Sequence, residues 1–158
     1  MVIRKATAAD IPALIRLLHQ VGDIHHQIRP DIFPAGTLKY NESELAELLE
    51  YRPVFVAMEG ENCLGYCFCM LPTYRASRCS VARDELYIDD LCVDESARGQ
   101  GVATALYRHV CGYAQDKGCA FVTLNVWQGN DSALRFYEKM GMRPRSITME
   151  HPLEDTKC

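Results

Sequence analysis

No stretch of this chain stays apolar for the ~20 residues a membrane-spanning helix needs, so such a helix and a membrane partner are not expected. Basic residues are not in excess. Lys and Arg number 17 against 21 Asp and Glu, a net charge of −4, which argues against nucleic acid or anionic lipid as a main partner. No basic-aromatic stripe appears either. Internal repeats, low-complexity tracts and linker-like runs are missing, and one domain over residues 1–158 is expected. The opening Met-Val-Ile-Arg-Lys lacks a secretory leader pattern. Cysteine itself is plentiful, at positions 63, 67, 69, 79, 92, 111, 119 and 158. What is lacking is any Cys-x-x-Cys or Cys/His ligand spacing, so no metal site is expected. The thiols read as reduced side chains of a cytoplasmic protein.

What is present is an alternation of strand-like and helical patterns. Val2-Ile-Arg-Lys reads as a strand. Thr7-Ala-Ala-Asp10 is a near capping box, and Ile11, Leu14, Ile15, Leu17, Leu18 and Val21 form a helical stripe. Residues 23–40 read as irregular. Asn41 caps a short helix with Leu45, Leu48 and Leu49 on one face. Strands are predicted at 53–58 and 63–71, joined by a Glu59-Gly-Glu-Asn62 turn, with a polar loop over 74–83. Then come a strand Glu85–Val93, a helix Gly101–Asp116, a strand Cys119–Trp127, a helix Asn130–Met140 ended by Gly141, and a last strand Ser146–Leu153. The order β-α-α-β-β-β-α-β-α-β is α/β, with a mixed, twisted sheet flanked by helices.

The most informative stretch is Arg98-Gly99-Gln100-Gly101-Val102-Ala103. It follows the end of an apolar strand and opens a helix. A helix start offers unpartnered N–H groups and the positive end of the peptide dipoles. Two glycines let an anion approach the backbone. This reads as a pyrophosphate cradle. No Gly-Lys-Ser/Thr ends it, as in a P-loop, and it does not continue as Gly-x-Gly-x-x-Gly.

At these residues the chain resembles the GNAT superfamily of N-acetyltransferases, whose signature Arg/Gln-x-x-Gly-x-Gly/Ala follows the fourth strand. A second match, Leu124-Asn-Val-Trp-Gln-Gly-Asn130 through Phe136-Tyr137-Glu-Lys-Met-Gly141, is similar to the family's fifth strand and following helix. Together the motifs cover roughly residues 85–145. The resemblance implies a single GNAT-like domain whose fourth and fifth strands splay around acetyl-CoA, and direct transfer of acetyl to a primary amine. It places the diphosphate on Arg98, Gly99, Gln100, Gly101, Val102 and Ala103, and the pantetheine arm and oxyanion on the backbone of Leu91, Cys92 and Val93. Asn130 reads as an N-cap and, by resemblance, also as a cofactor contact. A homodimer is left open.

Acetyl transfer to an amine sets three requirements. A lysine-like amine with pKa about 10.4 is at most about 0.1% neutral at pH 7, a cost of about 4–5 kcal/mol. The oxyanion needs a preorganised N–H. The leaving thiolate needs a proton donor. Tyr137 matches the family's general acid. The base is harder to place: some family members carry a fifth-strand glutamate where this chain has Asn125, which disfavours a protein N-terminal acceptor. Polyamine acetyltransferases of the family carry fourth-strand acids where Tyr87-Ile88-Asp89-Asp90 stands here. Asp89 is the base candidate, with a water chain as the alternative, and Asp90 or Glu85 would draw a cationic amine. A covalent route through Cys92 is disfavoured. His25, Phe33 and Trp127 are candidates for the acceptor wall. The acceptor expected is a small-molecule amine. The competing readings are a peptide amine and a non-catalytic acyl-CoA-binding domain of the same fold.

Overall fold

A computed structural model describes residues 1–153. Cys158 lies outside the described residues. β1 (Val2–Lys5) leads into a single 3-10 turn and then α1 (Ile11–Ile28). The entry is fixed by charge. The Thr7 amide donates to Asp10 Oδ2 at 2.7 Å, and Arg4 grips the same carboxylate with two bonds of 2.8 Å, holding its pKa down at about 2. Pro12 sits in the first turn of α1, where its missing N–H costs nothing. Leu14, Leu17 and Leu18 are buried.

The helix runs past the expected end at Val21 and takes in His25 and His26. The first strong breaker is Pro30, which disfavours helical geometry at Arg29. After it, α2 (Glu42–Tyr51) opens on the predicted Asn41 cap. The Glu44 amide donates to Asn41 Oδ1 at 2.9 Å, and the Asn41 amide donates to Glu44 Oε2 at 2.8 Å.

The remaining elements are β2 (Val54–Glu59), β3 (Asn62–Met70), β4 (Thr73–Tyr74), β5 (Arg83–Val93), α3 (Val102–Asp116), β6 (Phe121–Leu124) and α4 (Asp131–Lys139). Their sheet order is β1-β2-β3-β5-β4, with β6 paired to β5. The β5–β6 pair is parallel and the others are antiparallel, so the sheet is mixed, as expected. Alternation along the strands sends Val54, Val56, Tyr66 and Phe68 into the layer under α1 and α2. Phe55, Ala57, Cys67, Cys69, Leu86 and Ile88 go into the layer under α3, which Phe136 and Tyr137 of α4 join.

Three further expectations need correcting. The strand predicted over Cys119–Trp127 forms only over Phe121–Leu124. The loop predicted over 74–83 contributes Tyr74 to β4, which pairs with Arg83 and Asp84 of β5. Ser146–Leu153 joins no sheet among the described residues. Pro144 and Pro152 remove ladder donors at either end of it. Ion pairs tie the segment instead, Arg145 to Glu85 and Glu150 to Arg29, while Ile147, Met149 and Leu153 stay exposed.

One irregularity in β5 sets the directions of Asp89 and Asp90. Cys69 pairs with Ile88, but its neighbour Phe68 pairs with Asp90. Asp89 is therefore an extra residue, a β-bulge. It shifts the alternation by one, so Leu91 now packs in the same layer as Ile88. Asp89 and Asp90, adjacent in sequence, both turn to the α1/α2 side. The parallel pairing with β6 ends at Ile88 and Leu124, while β5 continues to Val93. Beyond the bulge the two strands part.

Candidate active site

The glycine turn opens α3. Gly99 and Gly101 have φ of 77° and 82°, a region that costs a side chain about 1–3 kcal/mol. Gly101 is the N-cap and has no side chain to satisfy the first-turn amides. Apart from their own chain neighbours, no atom of the described residues lies within 4 Å of where a Cβ would stand on either glycine. These uncapped amides at the positive helix end suit a diphosphate. The preceding turn is held rigidly. Asp94 accepts from the Ser96 amide at 3.0 Å and hydroxyl at 2.6 Å, and it pairs with Arg16 of α1. The two side-chain bonds hold its carboxyl well below the usual range. Arg16 also donates to the Cys63 carbonyl at 3.1 Å, joining α1, β3 and the turn. Arg98 is exposed, within 3.6 Å of Glu95 and 3.4 Å of the Val93 carbonyl. Gln100 donates to the Ser96 carbonyl at 3.0 Å. Val102 is buried in the core under α3, and Ala103 is the next residue of that helix.

Leu91, Cys92 and Val93 lie on the part of β5 that β6 has left, with β3 on the other side. Their remaining edge is a run of main-chain donors and acceptors suited to an amide-bearing arm. The Cys92 side chain is buried under α1, its thiol 3.6 Å from the Leu17 carbonyl. Burial pushes its pKa up to about 12, so it stays a protonated thiol and a poor nucleophile.

The two aspartates differ in their partners. Asp89 Oδ2 receives the Tyr40 hydroxyl at 3.1 Å and Lys39 at 3.0 Å, with Arg52 at 3.6 Å. Asp90 accepts from the Tyr66 hydroxyl at 3.0 Å. Burial, aided by the neighbouring charge of Asp89, pushes its pKa up to about 6 against the pull of Lys39 and Tyr66. A carboxyl poised there is ionised at pH 7 and still basic enough to take a proton.

Tyr137, on α4, sits in the opposite layer with its ring 5.0 Å from Phe136 and 6.2 Å from Tyr107. Burial raises its pKa, with smaller contributions from Cys67 and Asp90, so the phenol keeps its proton. Asn130 caps α4 by accepting from the Ala133 amide at 3.2 Å. His25, Phe33 and Trp127 come together as a wall. Phe33 stands 4.9 Å from the His25 ring and edge-on to Trp127 at 5.2 Å. The His26 Nδ1–H donates to the Phe33 carbonyl at 2.8 Å and fixes the turn. Burial lowers the His25 pKa, and Lys39 adds to the effect.

Glu85 stands apart. It is paired in register with Phe121, at the far end of the β5–β6 ladder. Arg145 and Arg83 hold it at 2.8 and 2.5 Å; their hydrogen bonds, Arg145 foremost, lower its pKa. Among the described residues no cluster of three or more His, Cys, Asp or Glu is arranged for a metal ion. Sequence reasoning missed Tyr66, Lys39, Tyr40, Arg52 and the Arg16–Asp94 lock. One signal was there to read: the apolar alternation Leu86-x-Ile88 resumes out of phase at Leu91-x-Val93, which marks the bulge.

A mixed sheet with parting parallel strands and an uncapped, glycine-led helix start beside them is the fold of an acyltransferase. The chain matches the model of the acetyltransferase (GNAT) family over residues 18–142 and belongs to that family. It is 25% identical over 151 residues to a thialysine N-epsilon-acetyltransferase of Bos taurus, across 89% of this chain and 83% of that one. A shorter match, 40% identical over 63 residues, is to a glucosamine 6-phosphate N-acetyltransferase of Trypanosoma brucei brucei; it spans 40% of this chain and 41% of that one. Among solved structures, a mutant of the BH1408 protein from Bacillus halodurans superposes with a TM-score of 0.93 at 32% identity, covering 97% of this chain and 99% of that one. The protein is a GNAT-type acyltransferase.

Proposed function

We propose that the protein transfers an acetyl group from acetyl-CoA directly to the primary amine of a small molecule in the cytoplasm. The observation that carries this reading is the bared edge of β5 beyond Ile88, which leads through the glycine turn to the uncapped start of α3, with Asp90 on one face of the sheet and Tyr137 in the layer on the other. The amides of residues 98–103 hold the diphosphate, with Arg98 adding charge. The free edge of Leu91–Val93 holds the pantetheine arm, and Asn130 lies at the adjoining helix start. When bound, acetyl-CoA supplies the activated acetyl group and a thiol leaving group.

Asp90 takes the amine's proton. Asp89, engaged by three donors, is the less available base and serves as an anchor for the chain around Lys39 and Tyr40. Tyr137 gives its proton to the departing sulfur and keeps water from that side. His25, Phe33 and Trp127 wall the acceptor. The names of the two relatives above specify small amine-bearing acceptors, thialysine and glucosamine 6-phosphate, which supports a small molecule over a peptide. Thiol release from acetyl-CoA, followed across amine, amino-acid, amino-sugar and peptide panels, tests the reading. Release with small amines is expected. Acetylation of peptides alone, or no release with any amine, would contradict it.

A further inference from the structure

Charge around the aspartate pair is unevenly shared. Lys39 Nζ lies 3.0 Å and Arg52 Nη1 3.6 Å from the one oxygen Asp89 Oδ2. Lys39 also donates to the Asp89 main-chain oxygen at 3.2 Å, which sets its ammonium beside Asp90. Two cations thus share one carboxylate, leaving one positive charge in excess. Arg29, the cation over Trp127, is the reverse case, with Asp31 and Glu150 both on it at 2.6 and 2.7 Å. The side chains of Lys39 and Arg52 remain 39% and 24% exposed, so a solute can reach them.

An ionised Asp90 balances the excess charge. When Asp90 accepts the amine's proton, that balance is lost and the group of four becomes positive. A polycation entering here would set its second ammonium against Lys39, whereas an anion would restore neutrality. We infer that the acceptor carries a carboxylate or phosphate besides its amine, and that this anion docks on Lys39 and Arg52 while the amine faces Asp90. The inference rests on acetyl transfer with Asp90 as proton acceptor.

Matched acceptors in the thiol-release assay test it. Lysine and cadaverine differ by a carboxylate, and glucosamine 6-phosphate and glucosamine differ by a phosphate. The anion-bearing member of one pair is expected to have a kcat/KM higher by about tenfold or more, and the pair that responds identifies the anion. Lys39→Glu should bring that ratio to one or below, chiefly through KM for the anion-bearing acceptor. Arg52→Gln should lower it in the same direction, which covers the case of a Lys39 variant that fails to fold. Equal use of both members of both pairs, or an unchanged ratio in the folded variants, would overturn this inference alone. No release with any of the four would overturn the transfer reading beneath it as well.

Discussion

Asp89 and Asp90 are chemically identical neighbours in unlike surroundings, set apart by their partners. Asp89 is spent on Lys39, Tyr40 and Arg52. Asp90, with a pKa raised to about 6, is held in a form that is costly to the fold. The sign follows from proton linkage. Between the ordinary carboxyl range near pH 4 and pH 6, the folded state binds more protons than the unfolded chain, so stability falls as pH rises through that window. Asp90→Asn removes the cost and can still accept from Tyr66. Its melting temperature should exceed the wild type's by a few degrees at pH 7, with the advantage shrinking as pH falls toward 4. A lower melting temperature at pH 7 would mean that the carboxylate is stabilised by its site. Tyr137→Phe keeps the ring contacts with Phe136 and Tyr107 and removes only the hydroxyl. Its kcat should fall ~10²–10⁴-fold where chemistry limits the rate. A change of less than about threefold would remove Tyr137 from the proton path.

At the scale of elements, the proposed site lies where β5 breaks its own rules. The bulge at Asp89 turns two acids to one side, and the loss of β6 beyond Ile88 bares the edge that follows. Gly65 of β3 keeps that edge in place. A Cβ there would stand 2.6 Å from the Cys92 carbonyl oxygen. Gly65→Ala should therefore push β5 outward and cost about 1–3 kcal/mol in urea unfolding, with weaker acetyl-CoA binding. Full stability in that variant would show that the strands yield without strain. At the other end of the edge, Gly101→Glu adds a side chain at φ 82° and a negative charge at the helix start. Acetyl-CoA affinity by calorimetry should drop by about two orders of magnitude. Unchanged affinity in a folded variant would move the diphosphate elsewhere. The helix caps, the glycine turn and most strands were legible in the sequence because each is set by residues a few positions apart. Asn41 with Glu44 is one case and Asn130 with Ala133 another. The failure at Ser146–Leu153 has the opposite cause: strand-like residues make a strand only where a partner edge accepts them.

The whole molecule supplies what local pattern cannot. Tyr66 meets Asp90 across 24 residues, Tyr40 meets Asp89 across 49, and Arg16 meets Asp94 across 78. These contacts give the two acids their different surroundings. They were hidden in the sequence because nothing near either partner announces the other. The glycine turn and Tyr137 stood out in the sequence through family resemblance. The division between Asp89 and Asp90 emerged only when α1, α2 and the sheet were seen packed together. The division of roles proposed for them follows from that packing. It is tested most directly by the pH dependence of kcat/KM for acetyl-CoA-dependent thiol release, measured with one amine acceptor in the wild type, Asp90→Asn and Asp89→Asn. The wild type should lose activity below pH about 6 as Asp90 protonates. Asp89→Asn should be weaker but keep that limb. Asp90→Asn should fall ~10²–10⁴-fold at pH 7, lose the limb, and recover toward the amine's own pKa. An unaltered limb in Asp90→Asn, or its loss in Asp89→Asn instead, would contradict the assignment of Asp90 as the proton acceptor.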